Sequence, residues 1–436
     1  MRNRNAKHIF LATAVLLVAI LTFSLSARSE EWHASGPMIL IYMDNEQTDH
    51  LRAYGLAYWC LQAPRNYKVQ WLLNYRGGSF LVEDTQEIRD RATLVGVSFK
   101  ALGPETINRI YDEIKNINAE VVILEKAPKV AVYVPPSNEP WDDAVRMTLE
   151  YAKIPYDTLW DKEVLAGKLK DYDWLHLHHE DFTGQYGKFY GQFRNADWYV
   201  RMVQDSINAA KQLGYDSVQK LKGSVALAIR EYVDNGGFLF AMCSAPDSLD
   251  VAISATGLDI VSPEIDGTPM TPDADKKLDF SKTFAFKDFK LVKDAYTYEI
   301  SDIDVMPPNI NNPELIPDVE LFEFSAKQDP ALSIFVQNHS PRFHDFLGQT
   351  TAFNRDEIKD DVVALAETPG TDRVKYIHGN VGKGSFTFLG GHDPEDFAHI
   401  VGEKQTDITR FIHSPGYRLI LNNVLFPSMR KKEKKT

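Results

Sequence analysis

From Lys129 onward the chain alternates short apolar runs with helical stretches, and few folds accept that rhythm. Val130-Ala131-Val132-Tyr133-Val134, closed by Pro135-Pro136, predicts a buried strand. Trp141 to Ile154 then places Ala144, Met147, Leu149 and Ala152 at helical spacing. Pro155 to Leu159 and Asp173 to His178 predict the second and third strands. A helical stretch from Ala196 to Asn235, broken near Gly214 and Gly223, ends in Gly236-Gly237 as its C-cap. Phe238 to Met242 predicts a fourth strand, and Pro246 opens a helix at its first turn. A strand at Gly384 to Leu389 and a helix at Tyr417 to Leu425 resume the pattern. Strands alternating with helices imply an α/β domain, residues 129–260 and 373–428, with a doubly wound parallel sheet.

Two further segments flank this pattern. Residues 38–126 read as an N-terminal α/β segment, with strands at Met38–Tyr42 and Val69–Leu73 and helices at His50–Leu61 and Glu105–Asn118. Arg76 to Phe80 reads as a plain glycine turn. Residues 261–372 are rich in Pro, Asp, Asn and Phe, without a long helix, and are expected to be a mostly β insertion. Their Asp302-Ile303-Asp304 and Asp360-Asp361 read as solvated acidic loops.

The first residues predict a leader. Arg2, Arg4 and Lys7 precede a charge-free run from Ile9 to Phe23, and Ser24-Leu25-Ser26 offers small residues for cleavage before Ala27. These are the parts of a signal peptide spanning 1–26, so an exported, periplasmic protein is expected, with an uncleaved anchor as the alternative. No membrane span is expected in the mature chain. Cleavage removes three positive charges from a net −13 and leaves −16. Such an acidic chain is a poor match for nucleic acid, whose phosphates need a basic face. With only two cysteines, Cys60 and Cys243, neither a disulfide scaffold nor a zinc ribbon can form.

Ligands of open parallel sheets bind beyond the carboxyl ends of the strands. Three segments should converge there: His178-His179-Glu180-Asp181, Cys243-Ser244, and Gly390-Gly391-His392-Asp393-Pro394-Glu395. A nucleophile on a sharp strand-to-helix turn needs small residues two positions away on either side, and Cys243 has Ala241 and Ala245. The helix after it would favour the thiolate. His392 is the candidate base, with Asp393 or Glu395 to orient it. The plainer reading makes Cys243 a buried small residue, and a Cys60–Cys243 disulfide would end the nucleophile reading. His176 and His178 share a strand face while His179 points away. A hydrogen-bonded strand end accounts for them; no HExxH or comparable spacing is present, so neither a metal nor a cofactor is expected. His178, His179, Glu180, Asp181 and Ser244 remain as candidate residues for binding a small-molecule ligand or substrate.

Lys129 to Val134, Tyr172 to Leu175, Tyr232 to Phe238, and Gly382-Lys383-Gly384 followed by Gly391-His392 resemble the class I glutamine amidotransferase-like superfamily, nearest its trehalose-utilisation (ThuA-like) branch. Leu175 to Tyr186 and Phe240 to Ser244 also resemble exported Bacteroidetes-type proteins that carry the label asparagine synthetase B. The resemblance implies a flavodoxin-like sheet and a Cys-His-Glu triad that hydrolyses glutamine. Cys243 matches its nucleophile and His392 its base. The family's Glu falls two residues after His, where this chain has Pro394, and Asp393 and Glu395 straddle that position. Its elbow glycines are alanines here. Asparagine synthesis is not expected: the nearest counterpart of a pyrophosphate loop, Ser244-Ala245-Pro246-Asp247-Ser248, lacks the glycines that let backbone amides approach phosphate.

The expected activity is therefore thiol hydrolysis of an amide or ester. The alternatives are a non-catalytic periplasmic or envelope-associated module that binds a ligand such as a sugar, and, more remotely, metal-dependent hydrolysis through His176, His178 and His392. Tyr186, Phe189, Tyr190, Phe193, Trp198 and Tyr199 could stack on a sugar ring, but packing is the preferred account of them.

Overall fold

The computed structural model describes residues 32–135, 143–400 and 402–430. The leader expected at 1–26, the start of the helix expected at Trp141 and the tail beyond Arg430 lie outside them.

The N-terminal segment runs β1 (Met38–Ile41), α1 (His50–Leu61), β2 (Val69–Leu73), β3 (Ser79–Glu83), α2 (Gln86–Val95), β4 (Lys100–Leu102), α3 (Pro104–Asn116) and β5 (Glu120–Leu124). Its strands form an antiparallel sheet in the order β4-β1-β3-β2-β5. Local chemistry sets the helix ends. Asp49 accepts the Arg52 N–H to cap α1, Thr85 accepts the Ile88 N–H to cap α2, and Gly96 closes α2 at φ 75°. The Arg76–Phe80 turn joins β2 to β3, and its last two residues, Ser79 and Phe80, are strand.

The α/β domain follows with β6 (Val130–Tyr133), α4 (Ala144–Ala152), β7 (Asp157–Leu159), α5 (Asp161–Leu165), β8 (Trp174–Leu177), α6 (Asp197–Gln212), α7 (Val218–Asp234), β9 (Phe238–Met242) and α8 (Ala245–Ser254). Gly214, at φ 84°, does separate α6 from α7. Gly223 does not break a helix: it sits inside α7, where a lone glycine costs only about 1 kcal/mol against alanine. Asn235 is the C-cap of α7, and Gly236 follows at φ 116°. After the insertion come β14 (Arg373–Val381), β15 (Gly384–Leu389) and, last, the helix Pro415–Leu425.

Strands β7, β6, β8, β9 and β15 lie side by side in that order, all parallel. Their side chains alternate between two cores. Val130, Val132, Trp174, Phe238 and Phe240 face one core, shared with α1, α4 and the last helix; Ala131, Tyr133, Leu175, Leu239 and Ala241 face the other, shared with α7 and α8. Burial on both faces is what an apolar parallel strand requires. The protein is thus a mixed α/β structure with two sheets, one of them largely parallel.

The insertion is not mostly β. Its strands β10 (Val319–Leu321), β11 (Arg342–Phe343), β12 (Phe353–Asn354) and β13 (Val363–Glu367) are short, and with β14 they extend the large sheet in antiparallel fashion. Much of the rest is turn. Side chains there bond to nearby backbone in place of a ladder: Asp279 accepts from the Ser281 N–H, Asp294 from Tyr296 and Asn338 from His339.

The last helix ties the parts together. Arg418, fully buried, donates to Met43 O at 3.0 Å and to Gly77 O at 2.6 Å, both in the N-terminal segment. Asn422 donates to Phe335 O and Gln337 O of the insertion. Among the described residues no helix is long and apolar enough to cross a membrane.

Candidate functional site

The three segments expected to converge do meet at the carboxyl ends of β8, β9 and β15. The turn after β9 carries Cys243 at φ 53°, a left-handed conformation that side chains other than glycine adopt at a cost of order 1–3 kcal/mol. The turn is held on both sides: the Cys243 N–H donates to Gly391 O and the Ala245 N–H to His178 O, each at 3.1 Å. Residues 347–350 of the insertion close over it, the Gln349 N–H donating to Cys243 Sγ at 3.4 Å. Gly348 lies so near Gly391 and His392 that a Cβ would stand 2.8 Å from their backbone. The thiolate expected from the helix N-terminus is not favoured. Burial pushes the thiol up to about 11, and the amides of Gln349, Ser244 and Thr350 offset only part of that. Both cysteines are free and buried, so no Cys60–Cys243 bond exists.

Beside the thiol lies a cluster of imidazoles. His392, anchored by its N–H to Leu347 O, stacks on His399 with ring centres 4.1 Å apart and meets His178 edge-on at 4.5 Å. His179 stacks on His392 at 5.6 Å. Burial holds His178 and His392 well below the usual histidine range and His179 at about 4, so all three are neutral at pH 7. Deeper in, His176 Nε2 lies 3.2 Å from His178 Nδ1, and Asp143 Oδ1 stands 3.7 and 3.8 Å from those two atoms.

The acids expected to orient His392 have other partners. Asp393 accepts from the Glu395 N–H, the Thr406 hydroxyl and the Tyr417 hydroxyl, and Glu395 bonds to Ser414. The carboxylate that does hold a histidine here is Asp396, whose Oδ2 lies 3.2 Å from His399 Nδ1. His399, three residues after Asp396, was missed in the sequence, although this spacing beside His392 was a usable signal. Asp143, also missed, could be read only as the N-cap of α4.

The remaining candidates divide between loop and cavity. Asp181 organises its loop, accepting from the Thr183 N–H and hydroxyl and from the Gly187 N–H. Glu180 accepts the His178 N–H at 2.8 Å, and burial raises its carboxyl to about 8. Ser244 has its hydroxyl buried without a hydrogen bond. A cavity of about 210 Å³ is lined by Cys243, His179, His392, His399, Tyr298 and Asp304. Asp304 is no solvated loop residue: it accepts from the Thr351 and Ala352 N–H groups, and burial lifts it to about 7. A second cavity of about 380 Å³ shares His179 and Phe189 with the first and adds Trp160, Tyr186, Glu180 and Lys222. Lys222 donates to both oxygens of Asp161 at 2.8 and 3.0 Å and to the Tyr133 hydroxyl at 2.9 Å. Of the aromatic residues named from sequence, Phe193 and Trp198 pack on Phe189, and Tyr199 packs on Tyr186.

Fold and site together define an α/β protein with a histidine-rich crevice beside a cysteine turn. No protein-family model matches the sequence, and no curated protein matches it at significance. Among solved structures it is similar to two cytoplasmic proteins of Salmonella typhimurium. STM3548 is 13% identical, with a TM-score of 0.34 over 70% of this chain and 100% of that one. STM1381 is 14% identical, with a TM-score of 0.33 over 69% and 100%. It is also similar to the GH42 β-galactosidase Gan42B of G. stearothermophilus, 9% identical with a TM-score of 0.29 over 61% of this chain and 28% of that one. Likenesses of this order leave the activity to be argued from the chain itself.

Proposed function

We propose that the protein is an exported hydrolase of flavodoxin-like, amidotransferase-type fold in which Cys243 attacks the carbonyl of a small amide or ester. The observation that carries this reading is the left-handed Cys243 at the turn between β9 and α8, beside a cavity walled by histidines. The order β7-β6-β8-β9-β15 supports the fold, since numbering these strands along the chain gives the 2-1-3-4-5 order of flavodoxin-like sheets. The family resemblance and the leader-like residues 1–26 support export.

With a protonated thiol and neutral imidazoles, the proton leaves Sγ as Sγ bonds to the carbonyl carbon. His392 is the acceptor by resemblance; His399, oriented by Asp396, is the acceptor that the local hydrogen bonding favours. The imidazolium returns the proton to the leaving nitrogen or oxygen, and water then cleaves the thioester. The amides of Ser244 and Gln349, which bond to Sγ in the resting chain, are assigned as the oxyanion donors.

The test uses p-nitrophenyl acetate and glutamine as probes. Release of product, with an acyl mark on Cys243 by mass spectrometry and its loss in Cys243→Ala, is the expected result. Turnover that survives Cys243→Ala, or no acylation at any pH up to 9, sinks the reading. A second reading, a sugar-binding module, draws on the aromatic lining of the 380 Å³ cavity by Trp160, Tyr186 and Phe189. Ligand binding that is indifferent to Cys243→Ala and lost in Trp160→Ala would favour it.

A further inference from the structure

We propose that His178, His179 and His392 form a site for one divalent cation of the zinc class, open toward the cavity that holds Cys243. The argument starts from protons. His176 Nδ1 lies 3.1 Å from Phe240 O, which can only accept, so this nitrogen carries the hydrogen and Nε2 is the ring nitrogen left to accept. That lone pair faces His178 Nδ1 at 3.2 Å, so His178 must carry its own hydrogen on Nδ1. His178 Nε2 is then a bare lone pair. It is buried, in a residue 1% exposed, and makes no hydrogen bond. A buried acceptor left this way is unfavourable, and a ligand would relieve it.

The lone pair does not stand alone. Ligand nitrogens of His178, His179 and His392 all lie within 4.8 Å of one another. Three points that close have a common centre within 4.8/√3, about 2.8 Å, of each, so shifts of under about 1 Å reach the ~2.0–2.1 Å of a zinc–imidazole bond. Metal binds an imidazole nitrogen that carries no hydrogen, and the chain of hydrogen bonds leaves His178 Nε2 in that form. Behind it His176 and Asp143 fix the His178 ring, the arrangement that orients metal-ligating histidines elsewhere. The Asp143 carboxyl, 3.8 Å from His178 Nδ1, is the acidic group nearest the cation's charge.

Two other acidic-histidine groups are poorer candidates. In Asp143/His176/His178 the His176 lone pair already accepts from His178, and Asp143 Oδ1 accepts the Val145 and Arg146 N–H groups. In Asp396/His399/Glu403 the histidine is already bonded to Asp396, nearer the surface. Three imidazoles with a fourth position facing a cavity is the pattern of a catalytic rather than a structural zinc site. The sequence expectation of no metal is reversed here because His392 lies more than two hundred residues from His178, so no short spacing could betray the set. The proposal goes beyond the thiol reading and does not rest on it.

The experiment uses the full chain, stripped with chelator and titrated with Zn²⁺ by calorimetry and with Co²⁺ by visible absorption. One cation per chain is expected, with His179→Gln and His392→Gln each weakening binding at least about 100-fold and Asp143→Asn about 10-fold. His399→Gln and Cys243→Ala should change it less than about two-fold; the latter variant loses acylation only, so the two readings fail separately. No stoichiometric binding by the unaltered chain overturns the proposal. So does binding lost in His399→Gln but kept in His179→Gln, which moves the cation to the outer group. Binding kept in both His179→Gln and His392→Gln overturns it too, by moving the cation to the inner one. If a variant loses its near-ultraviolet circular dichroism, zinc-edge X-ray absorption on the unaltered chain decides: several imidazoles in the first shell support the site, and a shell dominated by sulfur or carboxylate overturns it.

Discussion

Two buried polar regions lie close together and are built on opposite principles. Around Asp345 the buried charges share one carboxylate and fill their remaining hydrogen bonds with backbone carbonyls and a hydroxyl. Asp345 takes Arg373 at 2.6 Å and Lys375 at 2.7 Å, with all three side chains at most 2% exposed. Lys375 has three N–H donors and three acceptors: Asp345, Phe346 O and Thr351 O. Arg373 adds bonds to Val305 O and the Thr368 hydroxyl. A few residues away, the crevice gathers imidazoles that burial keeps neutral and leaves His178 Nε2 and the Ser244 hydroxyl without hydrogen bonds. The first region is a fastening. It holds residues 346–351, the stretch that closes over Cys243. The second leaves buried polar atoms without a protein partner, which is what the proposed cation site requires.

That contrast can be broken most easily at Asp345. Asp345→Ala leaves two buried cations uncompensated and should cost about 3–5 kcal/mol in urea unfolding. His178→Gln should cost less in the same assay without metal, about 1–3 kcal/mol, the loss of its Nδ1–H bond to His176 Nε2. Equal losses would end the distinction.

A smaller effect separates the regions by pH. Burial raises Asp247 to about 8 and Asp304 to about 7, so between pH 6.5 and 8 the folded chain holds protons that the unfolded chain has released. Stability should therefore fall as pH rises through that window, by up to about 1.4 kcal/mol per pH unit for each group still protonated. The buried histidines, with folded values below the unfolded value of about 6.5, push the other way until about pH 7.5, so the slope is read above that pH. Chemical denaturation at several pH values measures the slope, and Asp247→Asn should flatten it. An unchanged slope would assign the effect elsewhere. The smallest effect concerns Cys243 itself. Cys243→Gly should be at least as stable as Cys243→Ala, by up to about 1 kcal/mol, because glycine alone adopts φ 53° freely. A glycine variant clearly less stable than the alanine one would mean that the turn stores no strain.

What the sequence disclosed follows from where periodicity exists. The parallel strands were legible because both faces are buried, which leaves continuous apolar runs cut off by proline and glycine. Residues placed directly after them, His178, Cys243 and His392, were found for the same reason. β3 was hidden because its first residues, Ser79 and Phe80, were absorbed into a glycine turn. The insertion misled because its alternating apolar residues, such as Phe284 and Phe286, pack on the sheet from turns without forming strands. His399 and Asp143 sit on irregular chain or at a helix cap, where no repeat marks a residue's direction. The polarity of Cys243 was misjudged for a different reason: a helix N-terminus can be read from sequence, but the depth at which it is buried cannot.

The last helix has a consequence for how the protein is made. Arg418 and Asn422 complete hydrogen bonds for Met43, Gly77 and the insertion, so these partners are met only once residue 422 has been made. Until then the N-terminal core is unfinished and the apolar α1 face stays open. Such a chain should depend on a holding chaperone during synthesis, and a copy that stops short of residue 415 should be degraded rather than accumulate as a smaller folded form.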